Sequence, residues 1–471
     1  MSAPAAAKER FTSYHVLLLA LLGVATLYDG FDSSMFTLAS RDVMTTLDIS
    51  VAEWGTFYTV TRIGVLGSFF FLMGADRFGR KPLLLISVLG FALASGATSF
   101  VTTKTEFVLW QTLARLFLTA QYGLAIIIAG EELPAALRAR GITVLTSLAN
   151  VGTVAMAKVQ PYFLLVPSAS APEPAGNWAH DGALALVASI AGALGQPFDG
   201  AHWRGLYLIG AFAAVLVPLL ALGVRETTRF RELAGDRGTG SFASVVAAQL
   251  RDAAQLLSPR YRRRFSIVAV LWNCVYLVIS PSVAFWSIYA RDEVGMTPAQ
   301  VGDVVFWAYV CGAFGHLVSG QLVDRIGRKA TCAGFFALGA VAIVMLFQTR
   351  TPFGQYFWHI STVFLLNAAL GATHVYASEV FPTALRATGY GWTTNFFGRA
   401  TELLTPTFIS GLLVAGFTIS NSIAFVGIGP ILGALLIARF APETRGLTLE
   451  EIQAKLDAES RAEAVKAPAT G

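Results

Sequence analysis

Charge is scarce in this chain. Asp, Glu, Lys and Arg make up 13% of its 471 residues, about half the share usual in a soluble domain. With 55% hydrophobic residues and a mean hydropathy of +0.61, there is more apolar sequence than a soluble core could absorb, whereas a bilayer can take it. Cysteine is scarcer still. Cys274, Cys311 and Cys332 show no pair or ligand spacing, which excludes a disulfide framework or a cysteine metal centre and leaves packing as their role. No Gly-x-x-x-x-Gly-Lys-[Ser/Thr] loop occurs, so ATP is not the drive. No His-Glu-x-x-His or Gly-x-Ser-x-Gly occurs either, so the chain does not read as an enzyme, and no cofactor or metal is expected. The net charge of +5 does not point to nucleic acid, because its distribution follows topology.

Long apolar runs are what the chain has. A spanning helix needs roughly 20 mainly apolar residues, and twelve segments qualify: 14–38, 54–74, 82–101, 106–130, 141–166, 204–224, 266–290, 299–322, 330–348, 354–378, 388–413 and 421–440. This predicts an all-α membrane protein of twelve transmembrane helices. Lys8 and Arg10 before the run His15 to Leu27 could mimic a secretory signal. The run leads into Asp29-Gly30-Phe31-Asp32 without a cleavage site, so it reads as a retained first helix. With both termini cytoplasmic, the inner segments hold 25 of the 34 Lys and Arg, and the outer face holds five: Arg41, Lys104, Arg204, Arg291 and Arg350. That excess sets the orientation.

The charged residues also repeat. Asp76, Arg77, Gly79, Arg80 and Lys81 recur 248 residues on as Asp324, Arg325, Gly327, Arg328 and Lys329. Glu131, Pro134 and Arg138 recur at the same offset as Glu379, Pro382 and Arg386. Two motifs with one offset mean a duplicated half, an architecture that serves transport. The expected domains are a six-helix bundle over 1–224, a cytoplasmic linker 225–264 rich in Lys and Arg, a second bundle over 265–440 and a cytoplasmic tail 441–471. The outer loop 167–203 is long, and its apolar run from Ala183 to Leu194 is too short to span. His180, Asp181, Asp199 and His202 flank that run and read as solvated loop residues rather than a metal site.

The repeated Asp-Arg-x-Gly-Arg-Lys loops and Glu-x-x-Pro-x-x-x-Arg elements resemble the major facilitator superfamily over the whole chain. One departure is visible: the glycine that usually stands four residues before the Asp is Gly320 in the second copy but Leu72 in the first. Asp29-Gly30-Phe31-Asp32 and the run from Ser378 to Gly389 are similar to the aromatic acid:proton symporters and related organic-anion carriers. The tail from Pro442 to Glu451 resembles sugar porters, yet span seven reads Leu271-Trp272-Asn273-Cys274-Val275-Tyr276, without their paired glutamines. The resemblance implies proton-coupled import of a small organic acid, with the bilayer, protons and the acid as partners, no nucleic acid, and a monomer. A proton-linked sugar carrier and a membrane sensor of the same fold without flux are the alternatives.

An ionised side chain at the bilayer centre costs at least about 2.5–3.5 kcal/mol and so faces a cavity or a partner. The set here is Asp29, Asp32, Arg62, Arg115, Arg399 and Glu402. Asp29 and Asp32 share one helix face, and Arg62 and Arg115 lie at comparable depth, roughly 12–14 Å in from the outer side. A carboxylate beside a guanidinium stays ionised; once the pair separates or the site dries, it takes a proton. Asp29, Asp32 and Arg115 are therefore the expected proton-coupling residues, and the resemblance matches Asp32 and Arg115 to the acid and partner of proton-coupled sugar carriers. A static pair that fixes the helices is the plainer reading of the same residues. Arg399, with Glu402 three residues on, is the expected anchor for a substrate carboxylate, beside Arg62, Trp272, Tyr276 and Trp392; a self-contained Arg399–Glu402 pair is the alternative. The repeated loops are expected to pair with Glu131, Arg138, Glu379 and Arg386 and to hold the cytoplasmic side shut.

Overall fold

The computed structural model describes residues 12–164, 178–193, 201–232, 251, 254–382, 385–447, 451–455 and 458. All regular structure among them is helical. The first half runs through α1 (Ser13–Leu38), the short α2 (Ser40–Thr46), α3 (Val51–Met73), the short α4 (Ala75–Phe78), α5 (Arg80–Thr98), α6 (Lys104–Glu132) and α7 (Ala135–Leu164). It continues with α8 (Trp178–Ala193), α9 (Trp203–Ala211), a 3-10 turn, α10 (Leu216–Gly223) and α11 (Thr228–Glu232). The second half holds α12 (Arg262–Asp292), α13 (Pro298–Ile326), α14 (Arg328–Gln348), α15 (Pro352–Val380), α16 (Arg386–Gly391), α17 (Arg399–Val414) and α18 (Ile419–Phe440).

Ten helices among the described residues are long and apolar enough to cross a membrane. Neither α3 nor the stretch from 386 to 414 is among the ten. The latter is divided into α16, a π-helical segment Trp392–Gly398, and α17. Large apolar side chains stand on the surface, with Leu222 at 88%, Phe353 at 80% and Val414 at 77% exposure. Water would penalise this pattern and lipid rewards it. Helix ends follow local chemistry. Thr103 and Glu106 form a reciprocal capping box at the start of α6. Thr351 caps α15, with Pro352 in the first turn.

Packing divides the chain into two units. The first holds residues 1–50, 57–237 and 297–306; the second holds 51–56, 238–296 and 307–471. The opening turns of α3 and α13 are thus each grouped apart from the rest of their helix. The core of the first unit includes Leu18, Leu22, Phe91, Leu118, Leu124 and Ile128. That of the second includes Trp272, Val275, Phe335, Phe336, Tyr376 and Phe381. In the first unit α1 lies directly on α7. A Cβ on Gly30 would fall 1.7 Å from the Ala149 carbonyl oxygen, and one on Gly152 would fall 1.9 Å from that of Leu27. Only glycine permits such backbone approach, the small-residue packing that lipid-embedded helices favour.

The repeated loops have a common backbone reason. Gly79 and Gly327 both stand at φ 100°, each just before a helix. At that position a carboxylate caps the helix start. Glu226 accepts the Arg80 and Lys81 backbone N–H groups at 3.0 and 3.3 Å, and Glu443 accepts those of Arg328 and Lys329 at 3.0 and 3.1 Å. A Cβ on either glycine would strike the capping carboxylate. The Leu72 departure is absorbed locally, since its Cδ1 lies 2.9 Å from where a Gly123 Cβ would be, a notch that accepts the leucine.

The apolar run of the outer loop lies on α8, which packs on α9 with Val187 and Ala191 buried. The side chain of His180, and Asp199, lie outside the described residues, as do most of linker 225–264 and most of the tail.

Gly152→Val places a side chain on the Leu27 carbonyl. It is expected to cost on the order of 3 kcal/mol or more and to lower both folded yield and melting temperature in a detergent thermal melt.

Candidate functional site

The charges at Asp29, Asp32, Arg62, Arg115, Arg399 and Glu402 fall into two clusters, one in each unit, and Lys158 makes a separate pair with Asp303. In the first unit α1 carries Asp29, Asp32 and Ser33, α3 carries Tyr58 and Arg62, α6 carries Arg115, and α9 carries Tyr207. The Arg115 guanidinium lies 3.0 Å from Asp32 Oδ2 through Nη2. Its Nη1 donates to Ser33 Oγ at 2.8 Å. Asp32 is fully buried and Arg115 nearly so.

Neither oxygen of Asp32 accepts a well-aligned hydrogen bond among the described residues. The pair is held by charge more than by directional bonding, a weakly committed geometry for two ions at this depth. The Tyr207 hydroxyl is also buried without a partner among the described residues, and it lies within electrostatic reach of Asp32 and Arg115. Gln121 on α6 donates to the Ala25 carbonyl of α1 at 2.6 Å, tying together the two helices that carry the ion pair.

Arg62 acts on Asp32 at longer range. Among its contacts is Tyr58, whose hydroxyl accepts from Nη2 at 2.5 Å and whose ring lies 4.7 Å from the guanidinium carbon. Asp29 stands about one turn before Asp32 on α1 and is partly exposed. The arginine brought against the carboxylate is thus Arg115, with Arg62 set aside on a tyrosine.

In the second unit the cluster joins α12, α15 and the broken helix around residue 392. Trp272 stacks on Tyr276 with ring centroids 6.1 Å apart. Arg399 lies over the Tyr276 ring at 5.1 Å and reaches Glu402 Oε2 at 2.5 Å. Gly398 makes room for this, since a Cβ there would fall 2.8 Å from Tyr276 and 3.0 Å from Trp272. The π-helical segment ends at Gly398 and sets the register in which Arg399 points at Tyr276; such segments recur at functional sites. Trp272 and Tyr276 are 1% and 6% exposed. They therefore lie behind the accessible surface and buttress their neighbours, rather than offering open faces for a ligand ring. Trp392 is partly exposed and packs on Phe396 at 5.0 Å.

Two further residues complete this cluster. His374 on α15 sits 4.9 Å from Trp272, and its Nδ1 is 2.5 Å from the Tyr390 hydroxyl. Both partners come from other helices, so spacing along α15 alone carries no signal of them.

At the repeated loops the ion pairs lie inside each unit. Arg80 grips Glu131 through Nε and Nη2 at 3.1 and 3.0 Å, and Arg328 grips Glu379 at 3.1 and 2.9 Å. Both are bidentate forks. Asp324 adds a contact to Arg328 at 3.2 Å, and Thr444 donates to Glu379 at 2.7 Å. Each described fork runs from a repeated loop to a helix of the same half. Lys81 Nζ donates to the Ala221 carbonyl at 2.6 Å. Arg325 is exposed, and Lys329 meets Glu443 through its backbone. The side chains of Asp76, Arg77, Arg138 and Arg386 lie outside the described residues.

Comparison with known proteins gives these features a setting. Residues 177–406 match the family model described as Major Facilitator Superfamily. The chain is 25% identical to a niacin transporter of Acinetobacter baylyi, over 93% of this chain and 96% of that protein. It is 26% identical to a gallate transporter of Pseudomonas putida, over 90% and 89% respectively. Among solved structures it is similar to a D-xylose–proton symporter, with a TM-score of 0.69 and 18% identity over 93% of this chain and 100% of that one. That likeness shows the fold.

Arg115→Gln strands a buried carboxylate. It is expected to destabilise the purified protein by about 3–5 kcal/mol in a thermal melt, and combining it with Asp32→Asn should recover most of the loss.

Proposed function

We propose that this chain, a transporter of the major facilitator type, carries a small aromatic carboxylic acid together with protons by alternating access. The observation that carries the reading is the buried Asp32–Arg115 pair joining α1 to α6. A carboxylate deprived of both water and its guanidinium partner is far more stable neutral than charged. Proton uptake by Asp32 releases Arg115, and a change in charge at the joint between two helices biases which way the bundle faces. Asp29, about one turn away, is the group that passes the proton on. An acid anion carried with one proton crosses as a neutral complex, so each unit of pH difference supplies about 1.4 kcal/mol, on the order of tenfold accumulation.

The substrate carboxylate is assigned to Arg399, which Glu402 and the Tyr276 ring orient. Trp392 stands beside the site as an accessible ring, and Arg62 is assigned to the acid as a second cation. The printed names of the relatives, a niacin and a gallate transporter, support an aromatic acid. The reading includes twelve spanning helices in two bundles, 1–224 and 265–440, joined by the linker 225–264, with the tail 441–471 and both ends cytoplasmic, and one chain as the working unit. The clasps at Arg80 and Arg328 keep each bundle rigid as it turns, and the loops between them form the cytoplasmic gate.

Asp32→Asn is expected to abolish accumulation driven by an imposed pH gradient in proteoliposomes, a loss on the order of tenfold per pH unit, while exchange of labelled for unlabelled acid continues. Full gradient-driven uptake by this variant overturns the coupling role; binding without any flux in the unaltered protein supports a sensor instead. Arg399→Lys replaces a fork by a point charge. It is expected to raise the half-saturating concentration about tenfold or more, the worth of a charge-assisted hydrogen bond, in an exchange assay.

A further inference from the structure

We infer that His374 and Tyr390 read a polar position on the substrate ring, so that the preferred acid carries a hydroxyl or a ring nitrogen away from its carboxylate. The inference rests on the proposed transport of an aromatic acid and concerns the second unit alone. His374 is exposed although it lies within α15, in the last two turns of that helix. Its ring is fixed on two sides, by the edge of Trp272 at 4.9 Å and by Tyr390 stacked at 5.9 Å. Nδ1 is engaged with the Tyr390 hydroxyl, and Nε2 makes no hydrogen bond among the described residues. An imidazole whose open nitrogen faced hydrocarbon would be costly, so the accessible edge belongs on the aqueous, substrate-facing side of the bundle.

The chemistry of the pair is adaptable. If Tyr390 donates to Nδ1, Nε2 carries a proton and offers a donor. If Nδ1 donates to Tyr390, Nε2 offers an acceptor and the phenol proton is released to a second partner. A phenolic hydroxyl can satisfy either arrangement, and a ring nitrogen satisfies the first. A bare benzene ring satisfies neither.

The placement also fits. Trp272 holds His374, Tyr276 holds Arg399, and Trp272 and Tyr276 are stacked on each other. Two adjoining buried rings therefore hold the two accessible polar heads. One head is cationic and suits a carboxylate; the other is a neutral hydrogen-bonding group and suits a ring substituent. The Trp272 indole N–H is itself buried without a partner among the described residues, so this wall keeps a donor in reserve beside His374.

The test uses the full-length protein in proteoliposomes, with benzoate, 4-hydroxybenzoate and pyridine-3-carboxylate as competitors in exchange. The half-saturating concentration of benzoate is expected to exceed that of the polar-ring acids about tenfold, the worth of one hydrogen bond to a buried group. In His374→Phe that ratio falls toward one, and in His374→Gln, which keeps a donor and an acceptor, it stays well above one. A ratio near one in the unaltered protein overturns the inference, and so does a ratio that survives His374→Phe. Loss of all exchange in both variants, with a folded elution profile, also overturns it by making His374 structural. If the unaltered protein exchanges none of the three acids, the aromatic-acid reading itself falls, and this inference with it.

Discussion

A carboxylate buried in the membrane beside a single guanidinium is the constraint around which the first half of this molecule is arranged. Asp32 has no exposure and no well-aligned hydrogen bond among the described residues. Its ionised form therefore depends on Arg115. In turn, Arg115 depends on the spacing between α1 and α6, which Gln121 ties from one helix to the backbone of the other. The glycine contact of α1 with α7 fixes the remaining side of α1. Helix α1 is thus held on one side by an ion pair and a hydrogen bond to α6, and on the other by backbone contact with α7.

The repeated loops follow another principle. There the charges are numerous, bidentate and doubled by the repeat. Arg80 and Arg328 each hold a glutamate from a neighbouring helix, while Glu226 and Glu443 cap the helices on which those arginines stand. Several ties per joint make a rigid corner, whereas the joint at Asp32 rests on one ion pair.

Much of this was legible in the residues. The 248-residue offset exposed the duplication because Asp, Arg, Gly and Lys have no reason to recur inside apolar sequence except at the same structural corner. Rise per residue was enough to put Arg115 at the depth of Asp32, since a helix converts sequence distance directly into depth. Depth could not choose between Arg62 and Arg115, because that choice depends on helix rotation, and Tyr58 rather than Asp32 captures Arg62. The carboxylates that cap the repeated loops were missed for another reason. Glu226 and Glu443 are corresponding residues, but the long outer loop lies between the copies of the earlier motifs and shifts their spacing, so a fixed offset passes over them. Trp272 and Tyr276 were recognised as important, but as ligand-facing rings. Their burial comes from Gly398 and the π-helical register, and neither leaves a periodic signal.

The two halves have diverged where they touch chemistry and stayed alike where they touch each other's pattern. The loop glycines keep the same positive φ, the same arginine fork and the same capping carboxylate. Asp32 and Arg115 have no charged counterparts 248 residues on, where the sequence has Ser280 and Val363. Conversely, Arg399 and His374 correspond to Val151 and Ile126. A duplicated scaffold can place a proton-responsive ion pair in one copy and an aromatic, hydrogen-bonding cluster in the other without either disturbing the corners that both copies need. Such separation has a physical advantage. A substrate anion bound next to Asp32 would compete for Arg115 directly, and binding would then be indistinguishable from protonation. On the proposed assignment of the anion to Arg399, the two events remain separate.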